Sequence, residues 1–181
     1  LSSSRNNCME LAENYTDRTR GKQWLGPMAA QHNIASGVHV PYDLLVVDDN
    51  PADAALLQSV FRQLRLSHRL HVVANGLDAF AFLRREGQFF GAPRPAMIWL
   101  DLNLPRLHGR EVLQRLKSDA DLRTIPVLVF SSSAAESDLI ESYERGANAY
   151  LVKPFDLKDL VKLVDATVDF WLSKVLLAPA S

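Results

Sequence analysis

The stretch Trp99-Leu100-Asp101-Leu102-Asn103-Leu104-Pro105 decides how this chain is read. An apolar run, Ala96-Met97-Ile98-Trp99-Leu100, stops at an aspartate and a turn follows at once. Bounded by Pro95 on one side and by Asn103 and Pro105 on the other, the run reads as a strand buried on both faces, the habit of a parallel sheet. A carboxylate at the carboxyl end of such a strand sits where open α/β sheets bind their ligands. Asp101 is therefore the first candidate for chemistry.

Working outward, the same pattern recurs. Tyr42 to Val47 predicts a buried strand ending in Asp48-Asp49-Asn50-Pro51, in which Asn50 suits a helix cap and Pro51 the first helical position. Leu57, Val60, Phe61 and Leu64 then fall on one helical face. A strand over His68 to Ala74 is broken by Asn75-Gly76, and Leu77 to Leu83 predicts a helix ending near Gly87. Gly91 to Pro95 is a loop into the strand before Asp101. After it, a turn through Pro105 and Gly109 leads to a helix bearing Val112, Leu113 and Leu116. Val127 to Phe130 predicts a fourth strand ending in Ser131-Ser132-Ser133. Ser133 and Glu136 have capping-box spacing for a helix whose apolar positions are Leu139, Ile140 and Tyr143, with Gly146 as its stop. Ala149 to Val152 is a fifth strand ending in Lys153-Pro154. Asp156 caps a last helix with Leu157, Leu160, Val161, Val164, Val168, Trp171 and Leu172 on one face. Five strands alternating with five helices predict a doubly wound parallel α/β sheet with helices on both faces.

Composition sets the bounds. The 181 residues are 48% hydrophobic with a formal net charge of -1, enough for one core and without the basic field of a nucleic-acid binder. The single cysteine, Cys8, forms no internal disulfide and fits a reducing compartment. No apolar run reaches the roughly 18 residues of a membrane span, and the polar start lacks a signal core, so the expectation is a cytoplasmic protein. Residues 1–41 show no sustained period and read as an N-terminal extension, largely disordered. Residues 42–175 read as the patterned domain and 176–181 as a tail. No helix-turn-helix fits after residue 175, so output is expected through protein contact and not through DNA.

What ends each strand is the functional signal. Asp48-Asp49 end the first, Asp101 the third, Ser131 the fourth and Lys153 the fifth, and in a doubly wound sheet these ends share one edge. Three carboxylates so close repel one another, and a hard divalent cation, Mg²⁺ above all, relieves the conflict while leaving positions for phosphate oxygens. Asp101 is then placed to attack phosphorus and become an aspartyl phosphate. Lys153 would neutralise charge on the transferring group, and Ser131 could hydrogen-bond a phosphoryl oxygen.

Val47-Asp48-Asp49-Asn50, Leu100 to Pro105 with Gly109, Val129-Phe130-Ser131, and Tyr150-Leu151-Val152-Lys153-Pro154-Phe155 together resemble the receiver domain of two-component response regulators. The resemblance covers about residues 42 to 175. It implies a flavodoxin-like sheet of order 2-1-3-4-5, Asp101 as phosphoryl acceptor, and Mg²⁺ on Asp48, Asp49, Asp101 and the backbone carbonyl of Asn103. It places Ser131 at the switch hydroxyl and Tyr150 at the switch aromatic, and it implies a cis Lys153–Pro154 peptide. The implied partner is a sensor histidine kinase. Such a protein is a switch that catalyses only its own phosphorylation and dephosphorylation. Gly109 to Leu113, the Gly87–Pro95 loop and Asp169-Phe170-Trp171-Leu172 are similar to the small single-domain regulators paired with bacterial and cyanobacterial phytochromes. A homodimer is expected over the 134–174 face.

Other readings fit less well. An FMN protein needs a hydroxyl- and glycine-rich phosphate loop after the first strand, where this chain has Asp48-Asp49. A phosphatase working through an aspartyl intermediate wants a second acid two residues past the nucleophile, where Asn103 stands. A degenerate receiver, acting as an interaction module without phosphorylation, is the alternative that the full Asp48, Asp49, Asp101, Ser131, Lys153 set opposes.

Overall fold

The computed structural model describes residues 41–66 and 68–178. The predicted N-terminal extension therefore lies almost wholly outside the described residues. Within them, strands β1 (Asp43–Val47), β2 (Arg69–Val73), β3 (Met97–Leu100), β4 (Val127–Ser131) and β5 (Ala149–Val152) alternate with helices α1 (Pro51–Gln63), α2 (Gly76–Arg84), α3 (Gly109–Ser118), α4 (Glu136–Glu144) and α5 (Leu157–Asp169). All pairings are parallel and the sheet order is β2-β1-β3-β4-β5, as the resemblance implies.

The strands divide their side chains between two cores, as a period of two requires. Leu45, Val47, Ile98, Leu100, Val127 and Val129 pack with Ala79 and Phe82 of α2 and Val112, Leu113 and Leu116 of α3. Their alternates, Leu44, Val46, Met97, Trp99, Leu128 and Phe130, pack with Leu57, Val60 and Phe61 of α1 and Leu160, Val164, Val168 and Leu172 at the chain's last helical segment. β1, β3 and β4 are buried throughout because helices cover both of their faces. α1 begins as the sequence predicts, with Asn50 Oδ1 accepting from the Ala52 N–H at 3.0 Å and Pro51 at its first position. Asp156 caps α5 in the same way. α5 then passes into a π-helical turn over Phe170–Lys174, which the apolar spacing did not signal.

At the edge far from the strand ends, buried Asp43 takes Arg69 Nε at 2.8 Å and Nη2 at 2.7 Å, and His71 Nε2 at 2.8 Å. Burial pushes the Asp43 carboxyl up, but these partners outweigh it and hold it below its ordinary value. The cluster fastens β1 to β2 where the edge strand has only partial cover.

Three expectations need correction. Glu136 is the first residue of α4 and Ala135 its cap, without a side-chain bond. Ser133 is used in a local turn, its Oγ accepting from the Ala135 N–H at 3.2 Å, so no capping box forms with Glu136. Leu139, Ile140 and Tyr143 are exposed, and the residue of α4 that is buried is Ser142. α4 lies against the sheet by a small side chain, and its apolar stripe faces outward. The Lys153–Pro154 peptide is trans, since no described peptide bond is cis; trans is the intrinsic preference of a prolyl peptide as of any other.

Candidate phosphoryl-transfer site

The site is built by backbone ladders that run one residue past the strands. The Asp48 N–H donates to Val73 O at 3.0 Å, that of Asp101 to Val47 O at 2.9 Å, and that of Lys153 to Ser131 O at 2.8 Å. Each functional residue is thus still registered to the sheet while its side chain emerges at the edge. The loop after Asp101 is pinned by Gly109, whose N–H donates to Leu102 O at 3.1 Å. A Cβ at Gly109 would collide with the Asp101 carbonyl oxygen and come within 2.6 Å of Leu102 Cα. Only glycine lets α3 start this close to the strand end.

Asp48 and Asp101 are held alike. One oxygen of each accepts from the backbone two residues on: Asp48 Oδ1 from the Asn50 N–H and Asp101 Oδ1 from the Asn103 N–H, both at 2.9 Å. The other oxygen meets the Lys153 ammonium, at 2.7 Å in each case. The third ammonium bond goes to Asp53 Oδ2 at 2.8 Å. The Phe130 ring lies 5.5 Å from Nζ and adds a cation–π attraction. Burial works to lower the Lys153 pKa, but the bonds to Asp101, Asp48 and Asp53 outweigh it and raise it, favouring the ammonium form. Burial pushes the Asp48 carboxyl up by more than Lys153 and the Asn50 N–H pull it down.

Asp49 is exposed and stands outside the Lys153 bonds. Asp48, Asp49 and Asp101 each offer an oxygen within 4.8 Å of the others. Three hard oxygen donors, two of them on buried residues, answered by one ammonium, fit a divalent cation. Asn103, the other expected ligand, follows two residues after Asp101 with its N–H already engaged.

The structure thus brings together Asp48, Asp49, Asp101 and Lys153. Ser131 is fully buried at the end of β4, its Oγ accepting from the Ser133 N–H at 3.2 Å. Tyr150 packs against the core on the α2/α3 side of the sheet, and its hydroxyl donates to Ser133 O at 3.0 Å. Two residues were missed in the sequence. Asp53 was passed over as a helix residue. Ser133 was assigned to a cap, yet its backbone joins Ser131 to Tyr150.

With this geometry in view, comparison with known proteins is decisive. The response regulator receiver domain family matches residues 44–165. This chain belongs to the response regulator receiver family. The response regulator Rcp1 of Synechocystis sp. is 45% identical over 140 residues, which are 77% of this chain and 95% of Rcp1. The crystal structure of the Mn²⁺-bound form of Rcp1 superposes with a TM-score of 0.71 over 77% of this chain and all of that one. The phosphorylated cyanobacterial phytochrome response regulator RcpA does so with a TM-score of 0.73 at 40% identity, over 77% of this chain and 100% of that chain. The chain is therefore a two-component signalling protein.

Proposed function

We propose that this receiver accepts a phosphoryl group on Asp101 from a phosphohistidine of a sensor histidine kinase. The observation that carries the reading is the Lys153 ammonium, 2.7 Å from both Asp101 Oδ2 and Asp48 Oδ2, beside three carboxylates within 4.8 Å of one another. A carboxylate oxygen of Asp101 forms the new O–P bond. The P–N bond breaks, and the imidazole nitrogen leaves with the electron pair. Asp48, Asp49, Asp101 and the Asn103 carbonyl would hold Mg²⁺, which when bound offsets the charge of the carboxylates and of the phosphoryl oxygens. Lys153 is fixed where an ammonium can meet one of those oxygens. The Asn103 N–H orients the Asp101 carboxylate. Acetyl phosphate should label the chain when a divalent cation is present and fail to do so in excess chelator; equal labelling in both would refute the metal's part.

Ser131 and Tyr150 are proposed as the switch. For Ser131 to turn toward a phosphoryl oxygen, its Oγ must leave the Ser133 N–H, and the same residue's carbonyl holds the Tyr150 hydroxyl. The two side chains are therefore coupled through one peptide segment, a two-state element that phosphate can bias. The face beside them, from about 134 to 174, carries the exposed Leu139, Ile140, Tyr143, Val152 and Leu157, a patch suited to a second copy of the chain. The likeness to a phytochrome response regulator supports a phytochrome-type kinase as donor, in the cytoplasm, with output by protein contact. Sedimentation should show a dimer that tightens with beryllofluoride; a monomer in both states at tens of micromolar would exclude it.

A further inference from the structure

The Lys153 ammonium has three N–H bonds, and all three are already given to Asp48, Asp53 and Asp101. A phosphoryl group on Asp101 can draw on this ammonium only if one of those bonds is released. The three acceptors differ in what release costs. The Asp48 side chain is 1% exposed and that of Asp101 8%, so neither can exchange the ammonium freely for water. The Asp53 side chain is 32% exposed, and it stands in the first turn of α1, where the helix N-terminus favours a carboxylate even without a cation. Water can replace Lys153 at Asp53 and cannot at Asp48.

We infer that Asp53 is a positioning residue: a releasable anchor that holds the Lys153 ammonium in the resting receiver and lets it go when Asp101 carries phosphate. The inference rests on the reading of Asp101 as phosphoryl acceptor. Asp53 does not touch the reacting atoms; it acts through Lys153, a hundred residues away in sequence. Its bond and its negative charge both oppose the arrival of a phosphoryl group, so it sets how readily the receiver is charged.

The test uses the full chain and two substitutions. Asp53→Asn keeps the shape but turns an ion-paired hydrogen bond into one between the ammonium and a neutral amide oxygen. It should raise the rate of phosphorylation at limiting acetyl phosphate by about fivefold, the scale set by loss of a partly exposed ion pair. Asp53→Glu keeps the charge and should stay near the unaltered chain. A role confined to the helix would not move the ¹⁵N resonance of Lys153 Nζ. In the resting, metal-free chain that resonance should shift or broaden in Asp53→Asn and be retained in Asp53→Glu. After beryllofluoride the unaltered chain and Asp53→Asn should coincide, because the anchor is already released. An unchanged resting resonance, slower phosphorylation in Asp53→Asn, or a difference that persists with beryllofluoride would overturn the inference. If the unaltered chain takes no phosphoryl group at all, the site reading fails and release fails with it; the resting resonance still decides whether Asp53 anchors Lys153.

Discussion

Asp101→Asn protein should lose phosphoryl uptake by on the order of a thousandfold or more, as enzymes do when a nucleophile is removed. The amide oxygen is a poor nucleophile, and no acyl phosphate can form on it. The other carboxylates do not substitute. Asp48 is the more deeply enclosed of the pair, its side chain 1% exposed against 8% for Asp101, and Asp49 is exposed on the loop. The fold should survive, because an asparagine side chain keeps the volume and one acceptor oxygen. That oxygen can satisfy either the Asn103 N–H or Lys153 but not both, a loss of about 1–2 kcal/mol. Labelling from acetyl phosphate, with a thermal melt on the same sample, separates the two effects. Uptake at the unaltered rate would show that the phosphoryl group goes elsewhere.

Lys153→Met should cost the metal-free protein about 3–5 kcal/mol of stability at neutral pH, the usual penalty for removing one partner of a buried ion pair. Methionine keeps the stem beside Phe130 and removes the charge. Asp48 and Asp101, both buried, would then face each other with no cation between them. The effect has a defined pH dependence. Burial already holds the folded pKa of Asp48 above its ordinary 3.8, and losing Lys153 moves it further up. A carboxyl whose folded pKa is raised destabilises in full above that folded value, and the penalty disappears as pH falls to the unfolded value. The gap between Lys153→Met and the unaltered chain should therefore narrow on acidification. Urea unfolding in chelator at several pH values checks this; equal stability of the two proteins at pH 7 would mean the ammonium contributes nothing to holding the site together.

What the sequence disclosed, and what it concealed, follows from where each signal lies. Asp48, Asp101 and Lys153 were legible because each terminates an apolar run, and topology gathers such ends without any side-chain information. Gly109 was legible as a turn, though not as the one residue that lets α3 approach the Asp101 carbonyl. Asp53 was hidden by its own neighbourhood. An acid three residues past an N-cap already has a local reason to be there, and its bond to Lys153 crosses a hundred residues. Leu139, Ile140 and Tyr143 misled for a different reason. Periodicity shows that a helix has an apolar side, not whether its own sheet or a partner covers it. Here the sheet takes Ser142, and the stripe is left outward. The cis Lys153–Pro154 expectation came from family likeness alone, and no local pattern tests an isomer.

The central claim is that Asp101 carries the phosphoryl group, and chemical trapping reads that directly. Full-length protein charged with acetyl phosphate and Mg²⁺, reduced with borohydride and digested, should yield homoserine in place of Asp101 in the peptide spanning Trp99 to Pro105. Homoserine in place of Asp48, Asp49 or Asp53 with Asp101 intact would contradict the account.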